Sequence, residues 1–346
     1  MIAHSAVPLC AEPSHLPGRN PTPDVTAGVA SIVILTKSEA FAPATVANLG
    51  VGFDILGLAL REPGDIVRAE LRDEPGVRVL GIEGDGGRLT HDPQKNTACI
   101  AATAVLQKIG TNHGVGLTVV KGLPVASGLG SSAASAVAAA VAVNALLGEP
   151  LRREELLAPS LEGEAAVSGY HADNVAPCLF GGITLVFGLQ ADQIVQLPVP
   201  EDLVLALVTP DVAVPTAEAR AVLPQQVSLK TMVKQTAAVA RLIDALHRGD
   251  LEAMAAAMEA DTVVEPAREH LMPLMQAVRA AARRAGALSL VISGAGPTLC
   301  AVCDDLAVAL RVADAMKAVY DDAGIGSVAR ATEVAPEGAQ VLSATL

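Results

Sequence analysis

The sequence predicts a two-domain chain of mixed helices and strands. Its 346 residues favour two domains over one. Runs with strand character and runs with helical spacing interleave along the chain, and no internal repeat is present. A strong apolar strand signal at 203–208 opens a second series of such elements, so the domain change is placed just before it. The expected partition is a disordered N-terminal extension over 1–36, a first domain over 37–198 and a second over 199–346.

Each element has a local cause. Residues 1–30 hold five prolines (Pro8, Pro13, Pro17, Pro21, Pro23) and no clear periodicity. They read as a disordered or loosely attached extension, or as an over-long gene model, with order beginning near Ile32. Residues 39–44 read as strand. Residues 65–71 and 77–82 read as paired strands with Pro75 and Gly76 in the turn between them. Helical spacing runs over 96–109, with Asn96 suited to cap its start and Gly110 to stop it. A β-rich run at 116–120 leads to a long Ala/Val helix at 133–147, ended by Gly148 and Pro150. Residues 153–167 are helical in pattern, and Pro159 is expected to break or kink them. Residues 181–187 read as strand. Beyond the 203–208 strand come a short helix at 216–223 and helices at 229–248 and 251–259. Another helix begins at 264, with Pro266 suited to its first turn. Strands at 288–292 and 299–302 flank a second Gly-rich loop, and a last helix covers 306–320.

Composition narrows the function. Half of the residues are apolar, yet 2% are aromatic and none is Trp, so the core is built of Ala, Val, Leu and Ile. The net charge is −13 and no run of Lys or Arg stands out, so no nucleic acid partner is expected. A nucleotide would have to be held by local basic groups, backbone N–H groups or a metal. Five cysteines, an odd number in a long chain, argue against a disulfide framework. Cys300 and Cys303 form a lone C-x-x-C in a strand-like run, where i and i+3 point to opposite faces, so core packing is expected over chelation or redox work. The 133–147 helix is too short to span a bilayer and is interrupted by Ser135 and Asn144, so no membrane association is expected. The first 36 residues lack a basic region followed by an apolar one, so a cytoplasmic location is expected.

The chemistry centres on Pro124, Val125, Ala126, Ser127, Gly128, Leu129, Gly130, Ser131, Ser132, Ala133, Ala134 and Ser135. Small residues let the backbone approach a ligand, and serines suit a helix N-cap. A helix start offers unpaired N–H groups and the positive end of the dipole, a natural anion seat. A nucleotide phosphate is the first reading. No Lys follows the glycines, so this is not a Walker A loop; a ligand-free strand-to-helix turn is the alternative. In the stretch 47–54, Asn48 and Asp54 present an amide and a carboxylate to one small ligand, or simply serve a Gly-rich turn. Glu164, His171, Asp173 and Asn174 lie within eleven residues. Carboxylates near a phosphate seat are the hard oxygen ligands Mg2+ prefers, while His171 alone also suits a structural role. Arg220 and Arg268 are either ligand-binding cations or solvated charges.

Three loops in this order resemble the GHMP small-molecule kinase superfamily: Ala42-Pro-Ala-Thr-Val-Ala-Asn-Leu-Gly-Val-Gly-Phe-Asp54, residues 124–135, and Ser293-Gly-Ala-Gly-Pro-Thr298. Within it the chain is most similar to the homoserine kinases, on His171-Ala-Asp-Asn-Val-Ala-Pro177, Pro215-Thr-Ala-Glu-Ala-Arg220 and Glu265-Pro-Ala-Arg268. The likeness runs from about residue 38 to the C-terminus. It implies an α+β two-domain GHMP kinase fold, with a first domain like domain 2 of ribosomal protein S5 and a ferredoxin-like second domain. It implies ATP-dependent phosphorylation of the L-homoserine hydroxyl to O-phospho-L-homoserine in threonine biosynthesis, with ATP and Mg2+, by a homodimer. By resemblance, residues 124–134 hold the ATP triphosphate and Asn96 approaches the adenine. Ser132 and Glu164 ligate Mg2+. Asn48 binds the reacting hydroxyl, and Asp54 and Asp173 lie near the substrate ammonium. His171, Arg220 and Arg268 surround its carboxylate, with Asn174, Thr216 and Gly294 also on the substrate side. Gly294 and Gly296 belong to the motif that closes the site.

Related chains carry one more residue between Gly169 and His171. Counting forward makes Glu164 the metal ligand; counting back falls on Gly163, which has no side chain to ligate. Glu164 is preferred, with Glu162 as fallback. Asp173 is read first as a substrate anchor and second as a base. The charges suit a zwitterion, because Arg pairs with carboxylates in bidentate fashion and Asp with an ammonium. A mevalonate- or shikimate-type kinase would bind a substrate without the ammonium. A catalytically silent metabolite sensor is the reading from another class, and would not need metal ligands.

Overall fold

The computed structural model describes residues 35–346. The expectations for residues 1–34 lie outside the described residues. Two sheets organise the rest. In the first, β1 (Lys37–Ala47), β2 (Leu56–Arg72), β3 (Gly76–Glu83), β4 (Gly114–Val120) and the C-terminal β11 (Gln340–Thr345) follow the order β11-β1-β2-β4-β3. The short strands β5 (Ile183–Val186) and β6 (Ile194–Leu197) extend it from the Leu56 end of β2. The second sheet is antiparallel, in the order β10 (Ser327–Glu333), β7 (Val204–Pro210), β9 (Leu299–Cys303) and β8 (Ser289–Ile292).

One expected pairing is corrected. β2 and β3 do not form a hairpin across Pro75 and Gly76: β4 lies between them, antiparallel to β2 and parallel to β3. β4 is apolar and largely buried along its length, which suits a central strand. β3 is mostly exposed or half-buried, which suits an edge.

The helix α1 (Thr97–Ile109) starts and stops as its sequence demands. Asn96 Oδ1 accepts from the N–H groups of Ala98 (3.1 Å) and Cys99 (3.3 Å), and Gly110 closes the helix in the left-handed region. Replacing Asn96 with Ala is expected to lower the unfolding free energy by about 1–2 kcal/mol, visible as an earlier urea midpoint. An unshifted midpoint would contradict the capping role. The helix α2 (Ser131–Leu146) is almost entirely Ala and Val and has no polar face, so it is buried on all sides against β1, β2, α1 and the following α3 (Leu157–Ser168). Pro159 does not break α3. It sits in the first turn, where its missing N–H would have no intrahelical partner anyway. Gly163 is the packing point of these helices: a Cβ there would lie 2.6 Å from the Thr97 carbonyl oxygen and 2.7 Å from Ala136 Cβ. The helix α4 (Ala172–Phe180), starting directly after His171, turns Asp173 and Val175 inward.

Around the second sheet lie α5 (Thr216–Ala221), α6 (Leu229–Arg248), α7 (Leu251–Met258), α8 (Val264–Arg268), α9 (Met275–Ala285) and α10 (Leu306–Asp322). Cys300 packs into the core shared with α6 and α7, whereas Cys303 packs into the core under α9 and α10. The two thiols therefore face opposite ways, as the period of a strand requires, and burial pushes both of them up. Among the described residues no helix is long and apolar enough to cross a membrane.

Candidate active site

A cavity of about 340 Å³ opens where the loops of the two sheets meet. Its first wall is the 124–130 loop with the start of α2. The α2 N-cap is Gly130, in the left-handed region at φ 66°, and no side chain caps the helix. The serines that suit a cap follow it as the first helical residues instead, so the opening amides stay free of a side-chain partner. A Cβ on Gly130 would collide with the Thr45 hydroxyl, which itself donates to Asn174 Oδ1 at 2.6 Å. Ser127 Oγ is buried without a partner. The loop is gripped from the second sheet: Ser293 Oγ donates to the Gly128 carbonyl (2.7 Å) and Thr298 Oγ1 to the Ser127 carbonyl (2.6 Å).

The second wall is acidic. Glu164, on the inner face of α3, is 3% exposed, and its Oε2 has no partner. Burial pushes its carboxyl up to about 7, opposed by the neighbouring Ser132 and Ser168 hydroxyls. Asp173, in the first turn of α4, is 4% exposed, with Oδ1 unpartnered. Burial, helped by the Asp54 charge and opposed by Arg220, pushes it to about 7. Glu162, by contrast, is on the exposed face of α3 and accepts from the Tyr170 hydroxyl at 2.9 Å.

The third wall is a charged ring. Asn48 holds the left-handed region at φ 74° and Asp54 at φ 61°, positions that Asn and Asp tolerate better than most residues. Asn48 Nδ2 donates to the Gly294 carbonyl (2.9 Å) and its Oδ1 accepts from the Asp54 N–H (3.1 Å), so the amide is locked in orientation. Arg220, from α5, makes a bidentate pair with Asp54 at 2.7 and 3.1 Å. His171 Nδ1 lies 3.8 Å from the same carboxylate; burial and Arg220 hold the imidazole below its ordinary range. Arg268, 2% exposed, donates to the carbonyls of Ala219 and Gly294, both at 2.9 Å. Burial lowers its guanidinium to about 10, which leaves it charged at neutral pH. Both arginines lie over the Phe53 ring, 5.4 and 5.2 Å from its centroid.

The cavity thus brings together Asn48, Asp54, Ser132, Glu164, His171, Asp173, Asn174, Thr216, Arg220, Arg268 and Gly294, with Val125, Ala126, Ser127, Gly128, Gly130 and Ser131 of the loop. Five of the expected residues do not line this cavity. Asn96 spends its side chain on the α1 cap and on the Thr90 carbonyl (2.9 Å). Pro124 lines a neighbouring cavity of about 390 Å³, and Leu129, Ala133 and Ala134 are buried in the core. Sequence reasoning missed Phe53, Ser168 and the buried pair Lys121–Asp65 beneath the loop. The sequence marks only one half of that pair: Lys121 closes the apolar run of β4, whereas Asp65 lies in β2 among Arg61, Glu62, Arg68, Glu70 and Arg72 and does not stand out.

Comparison with known proteins gives the family and the fold. The model of the GHMP kinases N terminal domain matches residues 96–182, and that of the GHMP kinases C terminal domain matches 242–322. A homoserine kinase of Chlorobium phaeobacteroides (strain BS1) is 40% identical over 291 residues, covering 81% of this chain and 91% of the relative. The chain belongs to the homoserine kinase family of GHMP kinases. The homoserine kinase of Arabidopsis thaliana is 41% identical over 279 residues, 78% of this chain and 75% of the plant protein. The crystal structure of homoserine kinase from Cytophaga hutchinsonii matches with a TM-score of 0.86 at 41% identity, over 91% of this chain and 100% of that one. Mevalonate kinase of L. major, in complex with R-mevalonate, is 19% identical with a TM-score of 0.68 and shares the fold. The α+β GHMP kinase fold expected from the three loops is the fold of this chain.

Proposed function

We propose that this GHMP kinase transfers the γ-phosphate of ATP to the side-chain hydroxyl of L-homoserine, giving O-phospho-L-homoserine for threonine biosynthesis. The observation that carries the reading is that one cavity joins an uncapped helix start to a ring of Asp and Arg side chains. The first suits a triphosphate and the second a small zwitterion. Relatives named homoserine kinase, about 40% identical over most of the chain, support the same choice.

The N–H groups opening α2 hold the phosphates, and the donor set fits Mg2+. Glu164 offers a buried carboxylate oxygen without a partner beside the Ser132 hydroxyl, and Mg2+ is commonly held by one or two carboxylates plus phosphates and water. When bound, the ion neutralises charge on the transferring phosphoryl group. Asn48, locked by Gly294 and Asp54, orients the acceptor hydroxyl. The substrate ammonium and carboxylate exchange with the Asp54–Arg220 pair, while Asp173, Arg268 and His171 complete the ring. Positioning and charge neutralisation supply most of the catalysis in such a transfer. A cytoplasmic homodimer completes this reading, by family resemblance.

Arg220→Lys is expected to raise KM for homoserine about tenfold or more, because a lysine cannot keep a bidentate pair. Initial-rate kinetics check this, and an unchanged KM would remove Arg220 from the substrate ring. The whole reading is tested by Mg2+-dependent ADP release with L-homoserine, mevalonate and shikimate in parallel. Turnover restricted to homoserine is expected; equal turnover of an alcohol without an amino group would reject it.

A further inference from the structure

Three buried polar side chains beneath the 124–130 loop take part in none of these steps. Lys121 directly follows β4, Asp65 lies in β2 and Ser135 in α2. Lys121 Nζ donates to the Asp65 carboxylate, to the Ser131 carbonyl (2.9 Å) and to Ser135 Oγ (2.9 Å). These acceptors use all three ammonium donors. Asp65 also accepts from the N–H groups of Gly122 (3.0 Å) and Leu123 (3.2 Å) and from Ser135 Oγ (2.8 Å). The Lys121 and Asp65 side chains are 1% and 0% exposed.

The contacts bracket the loop. Gly122 and Leu123 are the last residues before it, and Ser131 and Ser135 belong to the first turns of the helix after it. One ion pair therefore fixes both of its ends. Stability alone is a poor reason for such a pair, since a well-packed apolar replacement of a buried ion pair is often as stable or more so. Nor does Lys121 serve as a phosphate-binding lysine, because its donors are already taken. Its contacts run instead to the backbone that sets the loop's span.

We propose that the Lys121–Asp65 pair is a positioning unit that fixes the strand and the helix flanking the loop, and so aligns the first amides of α2 for a nucleotide phosphate. The inference rests on the reading that this loop holds nucleotide phosphate. Misplacement of a binding group by about 1 Å can cost up to ~10²-fold, so the effect is measurable without any loss of fold.

The test is the double variant D65N/K121M, which removes both charges and leaves neither one buried alone. Its ADP affinity in the presence of Mg2+ is measured by titration calorimetry beside full kinetics, with circular dichroism and Tm as controls for folding. The expected result is a folded protein whose Kd for ADP rises at least ~10-fold, whose kcat falls, and whose KM for homoserine moves less than about threefold. General loosening of the site would raise both substrates' constants together. If the double variant does not fold, S135A decides. It removes one strut, and faster hydrogen exchange at the 125–130 amides with weaker ADP binding is expected at an unchanged Tm. Wild-type ADP affinity in a folded D65N/K121M, or unchanged exchange and affinity in S135A, overturns the proposal and leaves the kinase reading intact. A wild type that binds ADP more tightly than D65N/K121M yet never phosphorylates homoserine supports the positioning unit and rejects the kinase reading.

Discussion

Glu164→Gln is expected to lower kcat by ~10²–10³-fold, the scale seen when one preorganised electrostatic contact to a transition state is removed, while the protein stays folded. Glu164 is buried at 3% exposure with Oε2 unpartnered, a costly arrangement for a carboxylate unless another ligand completes it. Gln keeps the shape and can still accept from Ser132 or Ser168, but it loses the charge that a Mg2+ would need. The stability effect has the opposite sign. The folded carboxyl is raised to about 7 by burial, so between the ordinary carboxylate range and about pH 7 the folded state binds the extra proton. Stability is then fully present at low pH and lost as pH rises through about 7. Gln escapes that loss, and its Tm at pH 8 should equal or exceed that of the wild type. A variant within threefold of wild-type kcat would take Glu164 out of the mechanism.

Asp173→Asn is the second large effect, and it separates two roles. Asp173 sits at the start of α4 near the Asp54–Arg220 pair, and burial, ahead of the Asp54 charge, raises it to about 7. As an anchor for the substrate ammonium, its loss should raise KM for homoserine by about 10²-fold, on the scale of an unpaired buried charge contact. The single-turnover rate at saturating homoserine should stay within a few-fold of wild type. A collapse of that rate would make Asp173 the base instead. The same raised carboxyl makes the wild type lose stability as pH rises from about 4 through about 7, by the same sign argument. The variant should therefore unfold later than wild type at pH 8, by on the order of a few kcal/mol, and nearly together with it at pH 4, where both side chains are neutral. Urea unfolding at the two pH values measures this.

Much of this was legible from residue order, and the gaps have physical causes. α1 was readable because Asn96 and Gly110 mark its ends, and α2 because from Ala133 onward it is almost all Ala and Val. The β2–β3 pairing misled because two strands joined by Pro75 and Gly76 look like a hairpin; local turn chemistry carries no information about a strand arriving forty residues later. β11 is exposed along its whole length, so it has no alternation to find. α4 hid behind Pro177, which sits inside it. At the site, Asn48, Asp54, Glu164, His171 and Asp173 stand in Gly-rich or His-containing stretches, whereas Thr216 and Arg220 were singled out only by the family resemblance. Lys121 and Asp65 are 56 residues apart and look like ordinary strand-end charges until the fold joins them. Gly163, which competed with Glu164 in the count back from His171, is where α3 meets α1 and α2, while Glu164 faces the cavity.

The most direct measurement is a comparison of kcat/KM for three alcohols under identical Mg2+-ATP: L-homoserine, 4-hydroxybutyrate without the ammonium, and 3-amino-1-propanol without the carboxylate. A ring of paired Asp and Arg leaves buried charges unmatched when either group is missing, so both truncated alcohols should fall by at least ~10²-fold. If either one is phosphorylated as efficiently as homoserine, the charged ring does not read the substrate.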